Sequence, residues 1–290
     1  MALYAFDGTG NEDRENDSNV LKFFHGFEGG PKNDNPEIPT GSLYLAGVGT
    51  GTHTEAEKVL GLAFGHGGHD RIALALQRLA NNIEAGDDTV DVVGFSRGAA
   101  LALGFANEIA RRRPGQKVRF IGLWDVVAQF GLPGRLVNAG IDIDAPPNAS
   151  HIYHAMALDE SRALFPLSRV TRRHAPDVRI IEAWFRGVHS DVGGGNGNTG
   201  LNWIALHWMY CNARRHGLAI GDGAIAENQA LRVEHPAISV HKVDALVVRS
   251  IREGDFVHES VDLGAAAPGR ELNNPKVPIG RITDDGNLFL

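Results

Sequence analysis

The chain has 290 residues, with 28 Lys and Arg against 35 Asp and Glu, a net charge of −7 and 43% apolar residues. That much apolar sequence can bury a sizeable core, which excludes a disordered chain, and the acidic balance argues against a nucleic-acid partner. One cysteine, Cys211, excludes an intrachain disulfide and any cysteine-based metal site, and no run approaches the ~20 apolar residues of a membrane span.

The first residues, Met1-Ala2-Leu3-Tyr4-Ala5-Phe6, carry no basic segment ahead of an apolar one. The expectation is a chain made in the cytoplasm without a signal peptide. Leu3–Phe6 reads as a strand ending in Asp7-Gly8-Thr9-Gly10-Asn11. Residues 11–41 are rich in Asn, Asp, Glu, Gly and Pro and read as a long polar loop, a rim or lid segment. Ser42–Leu45 is the next strand, followed by Gly47-Val48-Gly49-Thr50-Gly51. Apolar spacing predicts a helix over His69–Ile83, and Thr89–Val93 is a β-branched run of the buried-strand type.

Gly94-Phe95-Ser96-Arg97-Gly98 comes next, then a helix over Ala99–Arg112 stopped by Pro114-Gly115. Val118–Trp124 reads as a strand, 131–150 as an irregular second rim segment, and 154–164 as a short helix. Val178–Phe185 is a strand and Leu201–Arg214 a helix. From 217 to 290 the pattern weakens, with a strand expected at Ala245–Ile251 and a turn-rich end. Strands alternating with helices predict one α/β domain over 1–290: a mainly parallel sheet with helices on both faces. Such sheets place function at the carboxyl ends of their strands.

Four polar clusters fall at those ends: Asp7–Asn11, Ser96, Asp125 and His189. The G-x-S-x-G pentapeptide around Ser96 sits between a β-branched run and a small-residue helix, the setting of a nucleophile elbow. A serine hydroxyl needs a histidine base, and the histidine a carboxylate. Asp125 and His189 follow Ser96 in the chain order of this hydrolase class. Asp191 is a rival carboxylate, able either to orient His189 or to hold the Gly193–Gly195 loop. The oxyanion donors expected are the backbone N–H of Arg97 and that of Gly8 or Thr9, with Asp7 tying down the loop.

His66-Gly67-Gly68-His69-Asp70 offers metal-ligand types, but its glycines fit the loop that starts a helix. Gly47–Gly51 lacks the lysine and spacing of a phosphate loop. No metal and no cofactor is expected.

With those segments in place, the chain resembles the DUF2235 family, the catalytic-domain type of the Tle1-like type VI secretion phospholipase effectors. The resemblance is carried by Phe6–Asn11, Gly47–Gly51, Gly94–Ala99, Gly122–Val127, His154–Glu160 and Gly187–Gly195. It implies an α/β-hydrolase fold, a Ser96–Asp125–His189 triad and lipid or phospholipid acyl esters as substrates. It also implies export by a route needing no signal peptide, contact with a membrane surface, and a secretion or immunity protein as partner. Val257–Val261 looks like a further family segment and makes His258 the reserve base. Two functional classes stay open, a serine esterase and a non-catalytic binding protein of hydrolase shape; metal-dependent ester cleavage is a weaker third.

Overall fold

The computed structural model describes residues 1–9, 17–33, 38–47, 62–128, 140–163, 165–197, 199–232, 238, 247–264 and 271–289. Its strands are β1 (Ala2–Phe6), β2 (Lys32–Asn33), β3 (Ser42–Leu45), β4 (Val90–Phe95), β5 (Val118–Trp124), β6 (Ala149–Ala157), β7 (Arg179–Phe185), β8 (Phe256–His258), β9 (Gly280–Ile282) and β10 (Leu288–Phe289). They form one sheet in the order β10-β9-β8-β7-β6-β5-β4-β1-β3-β2. Every pairing is parallel except that of β10 with β9.

The alternation of side chains along each strand sends them to two cores. Tyr4, Phe6, Val90 and Val92 meet α2 (Leu62–Glu84) and α3 (Ser96–Arg112) through Ile72, Leu79, Leu103 and Phe105. Leu3, Ala5, Val93 and Phe95 enter the opposite core with α1 (Asn19–Gly26) and α5 (Thr199–Arg215), through Phe23, Trp208 and Tyr210. Each such large side chain withdrawn from water contributes roughly 1.5–3 kcal/mol. The short α4 (His189–Gly193) and α6 (Asp222–Leu231) complete the described helices. The expected α/β architecture, with helices on both faces of a mainly parallel sheet, is the one observed.

Several elements differ from the sequence expectation. The described residues of the expected 154–164 helix, 154–163, are not helical: β6 runs through Ala157, its last six residues buried, and a strand covered on both faces leaves no period for the pattern to reveal. The 11–41 stretch holds α1, which Ser18 caps by accepting the Leu21 N–H at 3.1 Å. Its polar neighbours hid an apolar face of Val20, Leu21, Phe23 and Phe24. The glycines at 67 and 68 lie inside α2 rather than before it. A Cβ on Gly68 would stand 3.1 Å from Leu101 Cδ2, so the glycine lets α2 close on α3. Residues 247–251 are not a strand; the sheet is instead extended by β8, β9 and β10, and α6 also went unpredicted. Residues 10–16, 34–37, 48–51, 131–139 and 245–246 of the expected motifs and rim segments lie outside the described residues.

Candidate active site

Ser96 is the residue at which β4 becomes α3, and its φ is +58°. A left-handed non-glycine residue costs about 1–2 kcal/mol, so the turn is held by its surroundings. The flanking glycines explain how. A Cβ on Gly94 would lie 2.7 Å from Ala99 Cα, and one on Gly98 would lie 2.3 Å from both the Phe6 and Asp7 carbonyl oxygens. The first turn of α3 therefore rests directly on the carboxyl end of β1.

Asp125 stands one residue past β5, also left-handed, with φ +44°. Since Phe95 of β4 pairs with Trp124 of β5, Ser96 and Asp125 leave neighbouring strands side by side. The Asp125 N–H donates to Ala155 O at 2.8 Å, and the Val127 N–H to Ser96 O at 3.2 Å.

His189 opens the short helix α4, four residues past the end of β7. Its Nδ1 lies 2.5 Å from Asp125 Oδ2. The imidazole is clasped between the rings of Phe95 and Phe165, with centroids 4.6 and 4.7 Å away. Glu160 accepts the His189 backbone N–H at 3.1 Å through Oε2. Among the described residues the hydrogen bonds of His189 run to Asp125 and Glu160, and none joins Ser96 Oγ to the ring.

Electrostatics fix the tautomer. Asp125 is wholly buried, which raises its carboxyl, yet Arg249 and then His189 hold it well below the usual carboxylate range. An ionised Asp125 only accepts, so His189 Nδ1 carries the proton and Nε2 is the basic nitrogen. Burial pushes the imidazole below its ordinary value, against the pull of Asp125. The ring is thus neutral near pH 7.

The other expected residues are placed as follows. Asp7 receives the Gly8 N–H at 2.6 Å, the Ser18 hydroxyl at 2.5 Å and the Tyr44 hydroxyl at 2.7 Å. It pins the loop after β1, as expected, but the Gly8 N–H is thereby engaged, which corrects the view that it is available as an oxyanion donor. Thr9 has a buried Oγ1 with no hydrogen-bond partner among the described residues. The Arg97 N–H lies in the first turn of α3, where intrahelical acceptors are lacking. Asp191 accepts the Val188 N–H at 3.1 Å and the Asn196 side-chain amide at 3.0 Å, bonds that hold the α4 loop, while the imidazole Nδ1 meets Asp125. His258 lies on β8 with Nδ1 2.8 Å from Ser260 Oγ and Nε2 3.1 Å from Asp284 Oδ1, so both ring nitrogens are engaged away from Ser96.

His69 and Asp70 are exposed on α2. Among the described residues His258, Glu259 and Asp284 have the spacing to hold a cation, but Asp284 is also paired with Arg232 at 2.6 Å. A cavity of about 450 Å³ lined by Lys22, Trp203, Tyr210 and Glu227 lies between α1, α5 and α6, and Ser96, Asp125 and His189 do not line it.

Sequence reasoning missed Arg249, Glu160, Phe165 and His154 as parts of the site. Buried His154 accepts the Val126 N–H at Nε2 (3.2 Å) and bonds Glu182 through Nδ1 (3.0 Å), bracing the backbone just past Asp125. His154 and Glu160 lie in a segment that carried the family resemblance; Arg249 has no motif around it.

A parallel sheet with a left-handed serine at a strand–helix turn, and a buried carboxylate–imidazole pair one strand-end away, defines a hydrolase-like α/β protein. The chain belongs to the type VI secretion system phospholipase effector Tle1-like catalytic domain family, whose model matches residues 3–111 and 105–212. It is similar in fold to the crystal structure of an uncharacterized protein from Pseudomonas aeruginosa (22% identity, 79% of this chain, 48% of that one, TM-score 0.57). It also matches the structure of the Tle1 effector bound to the VgrG spike of the type VI secretion system (22% identity, 69% of this chain, 51% of that one, TM-score 0.48). The chain thus spans about half the length of both solved structures. No curated protein matches it. Among the described residues no helix is long and apolar enough to cross a membrane.

Proposed function

We propose that this domain is a serine hydrolase of carboxylic esters, acting on lipid or phospholipid acyl chains. The observation that carries the reading is the left-handed Ser96 beside the Asp125–His189 pair. Ser96 Oγ attacks the ester carbonyl while His189 Nε2 takes its proton; Asp125 stabilises the imidazolium so formed. The oxyanion is received by the N–H of Arg97 and by that of Thr9, whose loop abuts the start of α3. Collapse expels the alcohol, protonated by His189, and leaves Ser96 acylated. Water, deprotonated by the same nitrogen, then releases the fatty acid and restores the serine.

The missing Ser96–His189 bond is compatible with this sequence, because catalytic hydrogen bonds in unliganded enzymes are often long and tighten on binding. Family membership supports the lipid class of substrate and, as part of the same proposal, delivery by a type VI secretion system. Of the segment 11–41, Ser18 and Asn19 lie against the α4 end at Gly194 and Val192 O, which supports a part in selecting the substrate, whereas 140–150 leads into the start of β6 beside Val118, at the amino ends of the strands and away from Ser96. The test is acyl release from phospholipid vesicles and from p-nitrophenyl esters of rising chain length. Release that disappears in Ser96→Ala is expected; a folded chain that releases no acid from any ester would contradict the reading.

A further inference from the structure

The Asp125 carboxylate does not face His189 alone. Arg249 reaches it from a segment beyond the family match, with Nη1 on Oδ1 and Nη2 on Oδ2 at 2.9 Å. The remaining outward N–H groups of the fork donate to Ala157 O at 2.8 Å and Phe165 O at 3.0 Å. Both side chains are withdrawn from water, at 5% and 0% exposure. The Arg249 backbone is itself held: its carbonyl accepts from Asn273 Nδ2 at 3.0 Å, and the Val247 N–H donates to Ser161 O at 3.0 Å. The same Asn273 amide reaches Leu158 O at 3.0 Å, so residues 247–249 and 273 dock on the chain just past β6. Asp125 Oδ1 also accepts the Ala157 N–H at 2.8 Å. A bidentate guanidinium fixes the plane of a carboxylate as a single cation cannot.

From this arrangement, and resting on the serine-hydrolase reading above, we infer that Arg249 is a positioning residue: it aims the Asp125 carboxylate at His189 Nδ1 and offsets the charge that Asp125 presents to the ring. A carboxylate without such a partner draws imidazole strongly toward its protonated, non-basic form. With Arg249 in place the dyad orients the ring yet keeps Nε2 unprotonated to lower pH. The charged groups facing His189 are Asp125 at the end of β5, Arg249 behind it, and Glu160 after β6 with its partner Arg162; Asp191, on α4 itself, turns instead to the Val188 N–H and Asn196. Phe95 and Phe165 cover the ring faces. Arg249 is the group whose removal leaves a buried carboxylate uncompensated against the imidazole.

The test compares the full chain with Arg249→Gln and Arg249→Lys. One measurement is the rate of fluorophosphonate labelling at Ser96 from pH 5 to 9; the other is the titration of the His189 ring by NMR. Folding is checked by thermal melting. In Arg249→Gln the acid limb of labelling and the His189 titration both move up by about one pH unit or more. Arg249→Lys keeps a charge but not the fork, so its limb moves less while its plateau rate falls several-fold. A folded Arg249→Gln that is slower by one factor at every pH, with the His189 titration unmoved, overturns the inference and leaves Arg249 a structural ion pair. If that variant does not fold, Arg249→Lys carries the test, and a lysine chain matching the parent in plateau and limb overturns it. A parent chain unlabelled at Ser96 sinks the serine mechanism instead, a failure that the NMR titration distinguishes from failure of this inference.

Discussion

Ser96 and Asp125 leave adjacent parallel strands at the same level, and both do so with positive φ, +58° and +44°. Two left-handed non-glycine residues side by side hold the hydroxyl and the carboxylate at one rim, and backbone bonds lock both: Val127 N–H to Ser96 O, and Asp125 N–H to Ala155 O. The strain is localised where the chemistry is proposed, as expected of a site that trades stability for geometry.

That strain can be measured. Ser96→Ala and Ser96→Gly both remove the hydroxyl, but only glycine adopts this φ without steric cost. Ser96→Gly is expected to be more stable than Ser96→Ala by about 1 kcal/mol, with both inactive. Denaturant melts of the two variants check this; equal midpoints would mean that Ser96 is unstrained.

Gly98→Ala tests the seat of α3. Its methyl would stand 2.3 Å from two backbone carbonyl oxygens, neither of which can rotate away. The helix start must shift from β1, at a cost of roughly 1–3 kcal/mol or more. Ester hydrolysis should fall with it, because the Arg97 and Thr9 N–H groups separate. A variant with parental melting temperature and activity would show that the packing here is looser than the structure has it.

His154→Leu tests the brace behind Asp125. The substitution leaves the buried Val126 N–H without its acceptor and takes one partner from Glu182. The expected loss is about 1–3 kcal/mol of stability, and a reduced labelling rate at Ser96 although residue 154 touches no substrate in the mechanism. Unchanged labelling in the folded variant would remove His154 from the account.

Acid should weaken the fold. His189 is pushed below its ordinary 6.5 by burial, and His216 is pushed down to about 4 by burial and then by His151, stacked 3.6 Å away. In that window the unfolded chain binds protons that the native chain does not, so stability falls as pH drops below about 6.5 and levels off under the native values. Asp125 acts only at lower pH: its contribution is fully present above 3.8 and is lost as pH falls from there through its lower folded value. Melting temperatures taken from pH 7 to 4.5 should decline, and decline less in His216→Gln. Parallel curves would mean that His216 titrates normally.

Much of the site was legible in the sequence because its signals are local. The β-branched run, the glycines around Ser96 and the small-residue helix after it occupy a dozen or so neighbouring positions, and Asp125 and His189 announce themselves as polar residues ending apolar strands. What was not legible depends on distance. Arg249 lies 124 residues from its carboxylate and nothing beside it marks a buried charge. β6 escaped because its buried residues face both cores and so show no period. The Gly8 N–H looked available until Asp7 was seen to turn back on it.

The central claim is that His189, oriented by Asp125, makes Ser96 a nucleophile. Intact-mass and peptide-mass measurement after treatment with a fluorophosphonate tests it most directly. The account predicts one adduct per chain, located on Ser96, absent in Ser96→Ala and slowed by at least about 10³-fold in His189→Ala. A folded chain that takes up no adduct, or takes it up on Ser96 equally fast without the imidazole, would contradict it.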